Sequence, residues 1–96
     1  MDRKKNKIIN KKAIALNYKK DEIAPKLVSK GKGKDAKKII DMANENSIPV
    51  ITDSNLTDTI YQLEINDYIP QELYEIIAAI YSYVMKKREI KNEEEN

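Results

Sequence analysis

The sequence predicts a single small α/β domain, in which a few-stranded mixed sheet is packed against surrounding helices. Three observations carry this prediction. Apolar residues alternate with small or polar ones near the N-terminus, as in a half-buried strand. Apolar residues recur at helical spacing in two later stretches. The length of 96 residues leaves room for one hydrophobic core.

The first strand is predicted at residues 13–18. Within it, one face carries the larger apolar side chains, namely Ile14, Leu16 and Tyr18. The other face carries small or polar residues, which is the pattern of a strand with one buried side.

Two further strands are predicted from the positions of prolines. Pro25 holds the residue before it in an extended conformation and leads into a strand at residues 26–30. The apolar stretch at residues 48–52 predicts a third strand. We place Pro49 at its edge or start, because proline has no N–H to donate to a ladder.

The first helix is predicted at residues 34–46, directly after the Gly31 and Gly33 turn. Its apolar residues form one stripe at i, i+3, i+4 and i+7, namely Ala36, Ile39, Ile40 and Ala43.

Two more helices follow. Residues 53–55 offer side-chain oxygens that can cap a short helix at residues 56–62. Pro70 suits the first turn of a last helix that continues to about residue 87. Apolar residues cover more than one face of this last helix. Deep packing of the helix is favoured over a second apolar strip kept for a partner.

The composition excludes several classes of protein. There is no Cys and no His, which removes disulfides, Cys or His metal ligation and the usual catalytic dyads. No apolar run reaches the ~20 residues of a membrane helix, and the N-terminus lacks the apolar core of a signal peptide. We therefore expect a cytoplasmic protein that is not an enzyme and has no cofactor, metal or small-molecule substrate.

The net charge of +2 hides an asymmetry between the two halves. Residues 1–38 contain 14 Lys and Arg against 4 Asp and Glu, whereas residues 39–96 contain 4 against 12. Such a block can be a nucleic-acid-binding patch or a solvated lysine-rich surface. All the tyrosines except Tyr18 lie in the acidic half, so basic and stacking residues do not interleave. A small basic nucleic-acid-binding module is therefore the alternative, disfavoured prediction.

A second motif resembles part of a dinucleotide-binding fingerprint. Gly31 and Gly33 precede Ala36 in the spacing G-x-G-x-x-A, and Asp53 follows the next predicted strand. A broken pair of short strands precedes the glycines, Gly31 is flanked by Lys30 and Lys32, and the chain is too short for a complete dinucleotide-binding domain. A turn that requires positive φ is the favoured interpretation.

Read in order, these segments resemble the cytoplasmic C-terminal domain of the FlhB family, the export-switch proteins of flagellar and type III secretion systems. The resemblance covers about residues 13–87. It rests on the ordered set AIALNY (13–18), APKLVSKGKG (24–33), IPV (48–50) and IPQELY (69–74), with further matches at Ala36, Ile39, Ala43, Asn46, Leu56, Ile60, Tyr61, Ile77, Ile80, Tyr83 and Val84.

The resemblance implies a small α/β domain that follows a membrane domain in other members of the family. Members cut themselves within an Asn-Pro-Thr-His motif just before the alternating strand. The corresponding positions here are residues 8–11, none of which matches, so self-cleavage is expected to be absent. A glycine that often precedes the Ile-Pro segment is replaced here in the region of Asn66.

The family resemblance implies a non-enzymatic component of the export apparatus, acting by protein contacts in secretion and substrate-specificity switching. The expected partners are export-gate components or the membrane domain of an export-switch protein, with the membrane reached only through them. Three segments are expected: a basic lead-in at residues 1–12, the domain at residues 13–87 and a charged tail at residues 88–96. The candidate contact residues, chosen for edge exposure and charge, are Ile14, Leu16, Lys30, Lys32, Lys34, Pro49 and Leu56.

Overall fold

The computed structural model describes the backbone of residues 11–95 and the side chains of residues 11–86. The elements in chain order are strands β1 (Lys12–Asn17) and β2 (Lys26–Lys32), helices α1 (Lys34–Glu45) and α2 (Ser54–Tyr61), a 3₁₀ turn (Gln71–Leu73) and helix α3 (Tyr74–Glu95). Residues 1–10 of the predicted lead-in lie outside the described residues. They include three of the four positions, 8–10, that correspond to the self-cleavage motif of the family. Among the described helices, none combines the length and apolarity needed to cross a membrane.

The two strands form an antiparallel pair with one irregularity. Ala15 lies opposite Ser29, but the next residue, Leu16, lies opposite Leu27. Val28 is therefore the extra residue of a β-bulge, and its side chain is 41% exposed. The bulge brings Leu27 onto the same face of the sheet as Leu16, where Leu27 is completely buried.

The prediction of a third strand is wrong. Residues 48–52 contain no strand and pair with no strand in the described part of the chain. Ser47 turns the chain with a φ of 57°, and Ile48 N donates to Ala43 O at 2.8 Å as the chain leaves α1. The sheet in the described residues is accordingly antiparallel and not mixed, while the predicted α/β class with helices around a small sheet is confirmed.

The helices cover both faces of this small sheet. Gly31 of β2 is buried against Asp35 and Ile39 of α1. The opposite face packs on α2 and α3 through a core that consists of Ala24, Leu27, Ile60, Ile69 and Ile77. The two-stranded sheet therefore depends on helices for its burial, as expected for so few strands.

The helices begin close to the predicted positions, but α3 continues to Glu95, eight residues past its predicted end and through most of the stretch expected to be a tail. α1 ends at Glu45, one residue before the prediction. α2 begins at Ser54, two residues early, because Asp53 Oδ1 accepts a hydrogen bond from Leu56 N at 3.1 Å. Pro70 precedes the 3₁₀ turn that opens α3.

The outer edge of β2 is partly covered by residues 66–69. Leu27 N donates to Asp67 O at 2.9 Å, and Asn66 N donates to Leu27 O at 2.7 Å. Ile69 N donates to Pro25 O at 3.0 Å. These bonds satisfy the start of β2 on the side away from β1.

Candidate protein-interaction surface

The outer edge of β1 exposes backbone groups at Ile14. Gly33 N donates to Lys11 O at 2.8 Å, which fixes the phase of the antiparallel ladder. Because hydrogen-bonded pairs alternate along such a ladder, Ala13 bonds to β2, whereas Lys12 and Ile14 direct their N–H and C=O groups away from it. In the described part of the chain, no other strand lies on this side. The Ile14 backbone is thus placed to pair with an added strand.

The larger side chains of β1 pack into the hydrophobic core. Ile14 and Leu16 are half-buried and pack against the central cluster, together with Leu56 of α2. The structure therefore brings these three predicted contact residues together. The outward-facing groups at this edge are therefore backbone groups, while the side chains hold the strand against the core.

Lys30 is held inside the domain. Its Nζ donates to Tyr61 O at 3.0 Å and to Leu63 O at 2.8 Å, and it lies 5.1 Å from the centroid of the Tyr61 ring. The carbonyls at the end of a helix carry partial negative charge, so this ammonium group caps α2. The described contacts of Lys30 are structural, and its use as a partner contact stays a prediction.

The turn after β2 presents lysines on a tightly packed backbone. A Cβ built on Gly31 would lie 2.8 Å from Asp35 Cβ, so only glycine fits under α1. Gly33 has a φ of 61° and precedes the first residue of α1. Lys32 and Lys34 are exposed on either side of it.

The remaining predicted contact, Pro49, lies apart from the core cluster. It is exposed in the segment between α1 and α2, which contains neither helix nor strand. Proline adds no donor to this segment, and the neighbouring Ile48 is 56% exposed. Pro49 is accessible, but nothing in its surroundings assigns it a partner.

The sequence pattern G-x-G-x-x-A serves packing in this fold. The space beside Gly31 is filled by Asp35 and Ile39, and Asp53 uses its carboxylate to cap α2. The described side chains also contain no group of three or more potential metal ligands. The residues that suggested a dinucleotide therefore have structural roles.

Several lysines of the basic half are paired with acidic residues. The ion pairs are Lys12 with Asp58 at 3.3 Å, Lys26 with Glu22 at 3.2 Å and Lys37 with Asp41 at 2.8 Å. Lys12 and Lys26 also lie over the rings of Tyr61 and Tyr68, at 5.3 and 5.0 Å from the centroids. Part of the positive charge is thus neutralised locally.

Two of these pairs change the acidity of the lysines. A hydrogen bond to Glu22, with the charge of Glu22 next in size, raises the pKa of Lys26. A hydrogen bond to Asp41 and its charge likewise raise the pKa of Lys37. Both lysines are cationic at physiological pH.

Tyr81 of α3 packs beside Tyr18, which follows β1. The two ring centroids are 6.2 Å apart and the rings are tilted by 35°. Burial raises the pKa of the Tyr81 hydroxyl above its ordinary value of 10.0. This contact ties α3 to the chain just beyond β1.

A shallow apolar groove runs between α3 and the segment before α2, and the favoured sequence interpretation missed it. Its lining includes Ile51, Ile76, Ala79, Ile80 and Tyr83. Ile76 is 43% exposed and Tyr83 is 52% exposed. The groove could have been found from the second apolar stripe of the last helix, which contains Ile76 and Tyr83. This stripe is offset by one residue from the buried stripe that contains Ile77.

Comparison with known proteins identifies relatives of this chain. The model of the FlhB HrpN YscU SpaS Family matches residues 10–84. YlqH of Bacillus subtilis is 39% identical over 85 residues, which are 85% of this chain and 90% of YlqH. The flagellar biosynthetic protein FlhB of Aquifex aeolicus is 42% identical over 79 residues, which are 79% of this chain but 22% of that protein.

The fold is also that of a solved relative. The crystal structure of the cytoplasmic domain of FlhB from Shewanella putrefaciens superposes with a TM-score of 0.79 at 25% identity. The match covers 94% of this chain and 82% of that domain. Because the family model spans most of the sequence and the same fold recurs in a family member, the chain belongs to the FlhB HrpN YscU SpaS family.

Proposed function

We propose that this chain is a non-enzymatic component of a flagellar or type III protein export apparatus. It acts by protein contacts, in the place of the C-terminal part of an export-switch protein. The observation that carries the proposal is the family match over residues 10–84, supported by the likeness to the cytoplasmic domain of FlhB. Its partners are export-gate proteins or the membrane domain of an export-switch protein, which hold it at the cytoplasmic face of the membrane.

The docking step is strand addition at β1. The backbone N–H and C=O of Ile14 point away from β2, and an incoming strand of the partner would bond to them. The half-buried Ile14 and Leu16 side chains keep β1 flat against the core, so the edge is ordered before the partner arrives. Strand addition to an ordered edge loses less conformational entropy than pairing of two unfolded segments.

Once docked, the domain would present the Lys32 and Lys34 turn and the exposed Pro49 segment to other export components. Both features are accessible in the structure. Contacts at these positions would let the chain take part in the change from early to late export substrates.

The alternative function is nucleic-acid binding through the lysines of residues 1–38. Neutralisation of Lys12, Lys26 and Lys37 by acidic neighbours weighs against it. Nucleic-acid binding through phosphates would show an affinity that falls steeply with salt concentration.

Affinity capture tests the proposal. The tagged chain is used to capture proteins from detergent-solubilised membranes of its host, and bound proteins are identified by mass spectrometry. Ile14→Pro removes the outward N–H as well as the side chain. Its matched control, Ile14→Ala, removes the side chain and keeps the N–H. Circular dichroism checks that both variants remain helical.

We expect the wild-type chain and Ile14→Ala to recover membrane proteins of the export apparatus, and Ile14→Pro to lose them. Equal recovery by a folded Ile14→Pro variant would remove strand addition as the docking mode. Recovery of nucleic acid and ribosomal proteins alone would contradict the export function.

A further inference from the structure

Helix α3 carries a second apolar stripe, offset from the stripe that faces the core. Ile76, Ala79 and Tyr83 lie on it, with Ile76 43% and Tyr83 52% exposed and Ala79 also exposed. At 1.5 Å per residue the stripe runs about 10 Å along the helix. Apolar surface of this kind on a small domain indicates a place where another molecule packs.

Charges of opposite sign flank this stripe at its two ends. Glu72 and Glu75 lie before it, and Lys86 lies after it, all of them exposed. On α3 itself, at about 100° per residue, Glu75 and Lys86 fall within roughly 20° of each other, and Glu72 lies in the 3₁₀ turn that leads into the helix. Glu72 and Lys86 lie at equal separations in sequence from Ala79.

This arrangement is complementary to itself. We propose that the stripe is a docking site for a second copy of this chain, with the two α3 helices antiparallel about a two-fold axis near Ala79. The two-fold axis places the same flank of both helices side by side. Glu72 then faces the partner's Lys86, and Lys86 faces the partner's Glu72.

The residues around the axis suit a close approach of the two helices. Ala79 has a small side chain and lies between Ile76 and Tyr83, which can pack around it. On the side of the groove formed by the preceding segment, Ile51, which is 43% exposed, would be covered as well, beside Thr52 and Asp53. One flank of the interface is thus charged, and the other includes the apolar Ile51.

The size of the surface sets the expected strength. A stable interface covers about 800 Å² on each partner, and a stripe of this length with its flanking segment is smaller. We therefore expect a reversible dimer with a dissociation constant of about 100 μM. The inference does not depend on the proposed export function.

Sedimentation equilibrium of the full chain, over a concentration range up to about 1 mM and at low salt, tests the proposal. Ala79→Glu places two like charges next to each other at the axis. Ala78→Glu is the matched control, because this exposed neighbour on the same helix points away from the stripe. We expect Ala79→Glu to weaken dimerisation at least about tenfold and Ala78→Glu to change it little.

A charge exchange sharpens the test. Glu72→Lys and Lys86→Glu should each weaken the dimer, and the double variant should restore it. A wild-type chain that stays monomeric throughout this range would overturn the proposal. A dimer that Ala79→Glu and Ala78→Glu weaken equally would also overturn the proposal. So would a dimer that Ala79→Glu leaves unchanged.

Discussion

The ammonium group of Lys30 in β2 donates a hydrogen bond to the carbonyl oxygen of Leu63, just beyond α2, at 2.8 Å. The same group reaches Tyr61 O at 3.0 Å, so one side chain satisfies two carbonyls at the end of α2. This contact holds α2 against the sheet, and α2 in turn supports β1.

Replacing Lys30 with Met removes the charge and retains most of the apolar stem. Since hydrogen bonds to a charged group contribute about 1.5–3 kcal/mol, we expect Lys30→Met to lower the free energy of unfolding by about 2 kcal/mol. Urea denaturation measures this change. Lys32→Met, at an exposed position of the same strand, should stay within about 0.5 kcal/mol of wild type. Equal effects of the two substitutions would show that the cap contributes little.

Gly31 is predicted to tolerate no side chain. An alanine Cβ would lie 2.8 Å from Asp35 Cβ and 2.9 Å from the Asp35 carbonyl carbon, so α1 must move away from the sheet. Overpacking of this kind costs about 1–3 kcal/mol. Urea denaturation of Gly31→Ala should show a lower midpoint, and an unchanged midpoint would mean that α1 adjusts without strain.

The stability of the domain should depend on Tyr81 at alkaline pH. Burial raises the folded-state pKa of Tyr81 above the ordinary value of 10.0, so the folded state binds the proton more tightly than the unfolded state. The contribution of Tyr81 is fully present below pH 10 and is lost as the pH rises through the folded pKa. Tyr81→Phe keeps the ring against Tyr18 and removes this titration.

Thermal denaturation at a series of pH values above 9 measures the effect. The melting temperature of wild type should fall more steeply above pH 10 than that of Tyr81→Phe. Parallel curves for the two proteins would show that Tyr81 does not ionise with a shifted pKa.

Asn66 occupies a left-handed backbone conformation with a φ of 78°. Asparagine and glycine adopt this region more readily than other residues, and a Cβ-bearing apolar residue costs roughly 1–2 kcal/mol there. Asn66→Gly should therefore retain wild-type stability within about 0.5 kcal/mol, whereas Asn66→Val should lose roughly 1–2 kcal/mol. Urea denaturation measures both changes. A more stable Asn66→Val than Asn66→Gly would contradict the left-handed conformation of Asn66.

Much of the fold could be predicted from local patterns. The alternation around Ile14 and the helical stripe of α1 identify elements whose local and tertiary preferences agree. The bulge at Val28 could not be predicted, because either Leu27 or Val28 could face the core in an isolated strand. The strand predicted at residues 48–52 was wrong because its apolar pattern reflects exposed and groove-lining side chains, and no strand among residues 11–95 pairs with it.

The candidate surface was predicted less completely. Edge exposure at Ile14 was expected from the sequence, and the structure gives the outward backbone groups of Ile14 a defined hydrogen-bond phase. The capping role of Lys30 could not be foreseen, because its acceptors lie more than thirty residues away in sequence. Residues 66–69, which cover the edge of β2, carry no strand pattern of their own.

Site-specific photo-crosslinking in host cells tests whether the chain docks through β1. A photoreactive phenylalanine analogue is placed at Asn17, the exposed end of β1, and in a control at Lys38, exposed on α1. Crosslinked products are identified by mass spectrometry. We expect Asn17 to crosslink to a membrane protein of the export apparatus and Lys38 not to do so. No such crosslink from Asn17, or the same crosslink from both positions with equal yield, would contradict docking through β1.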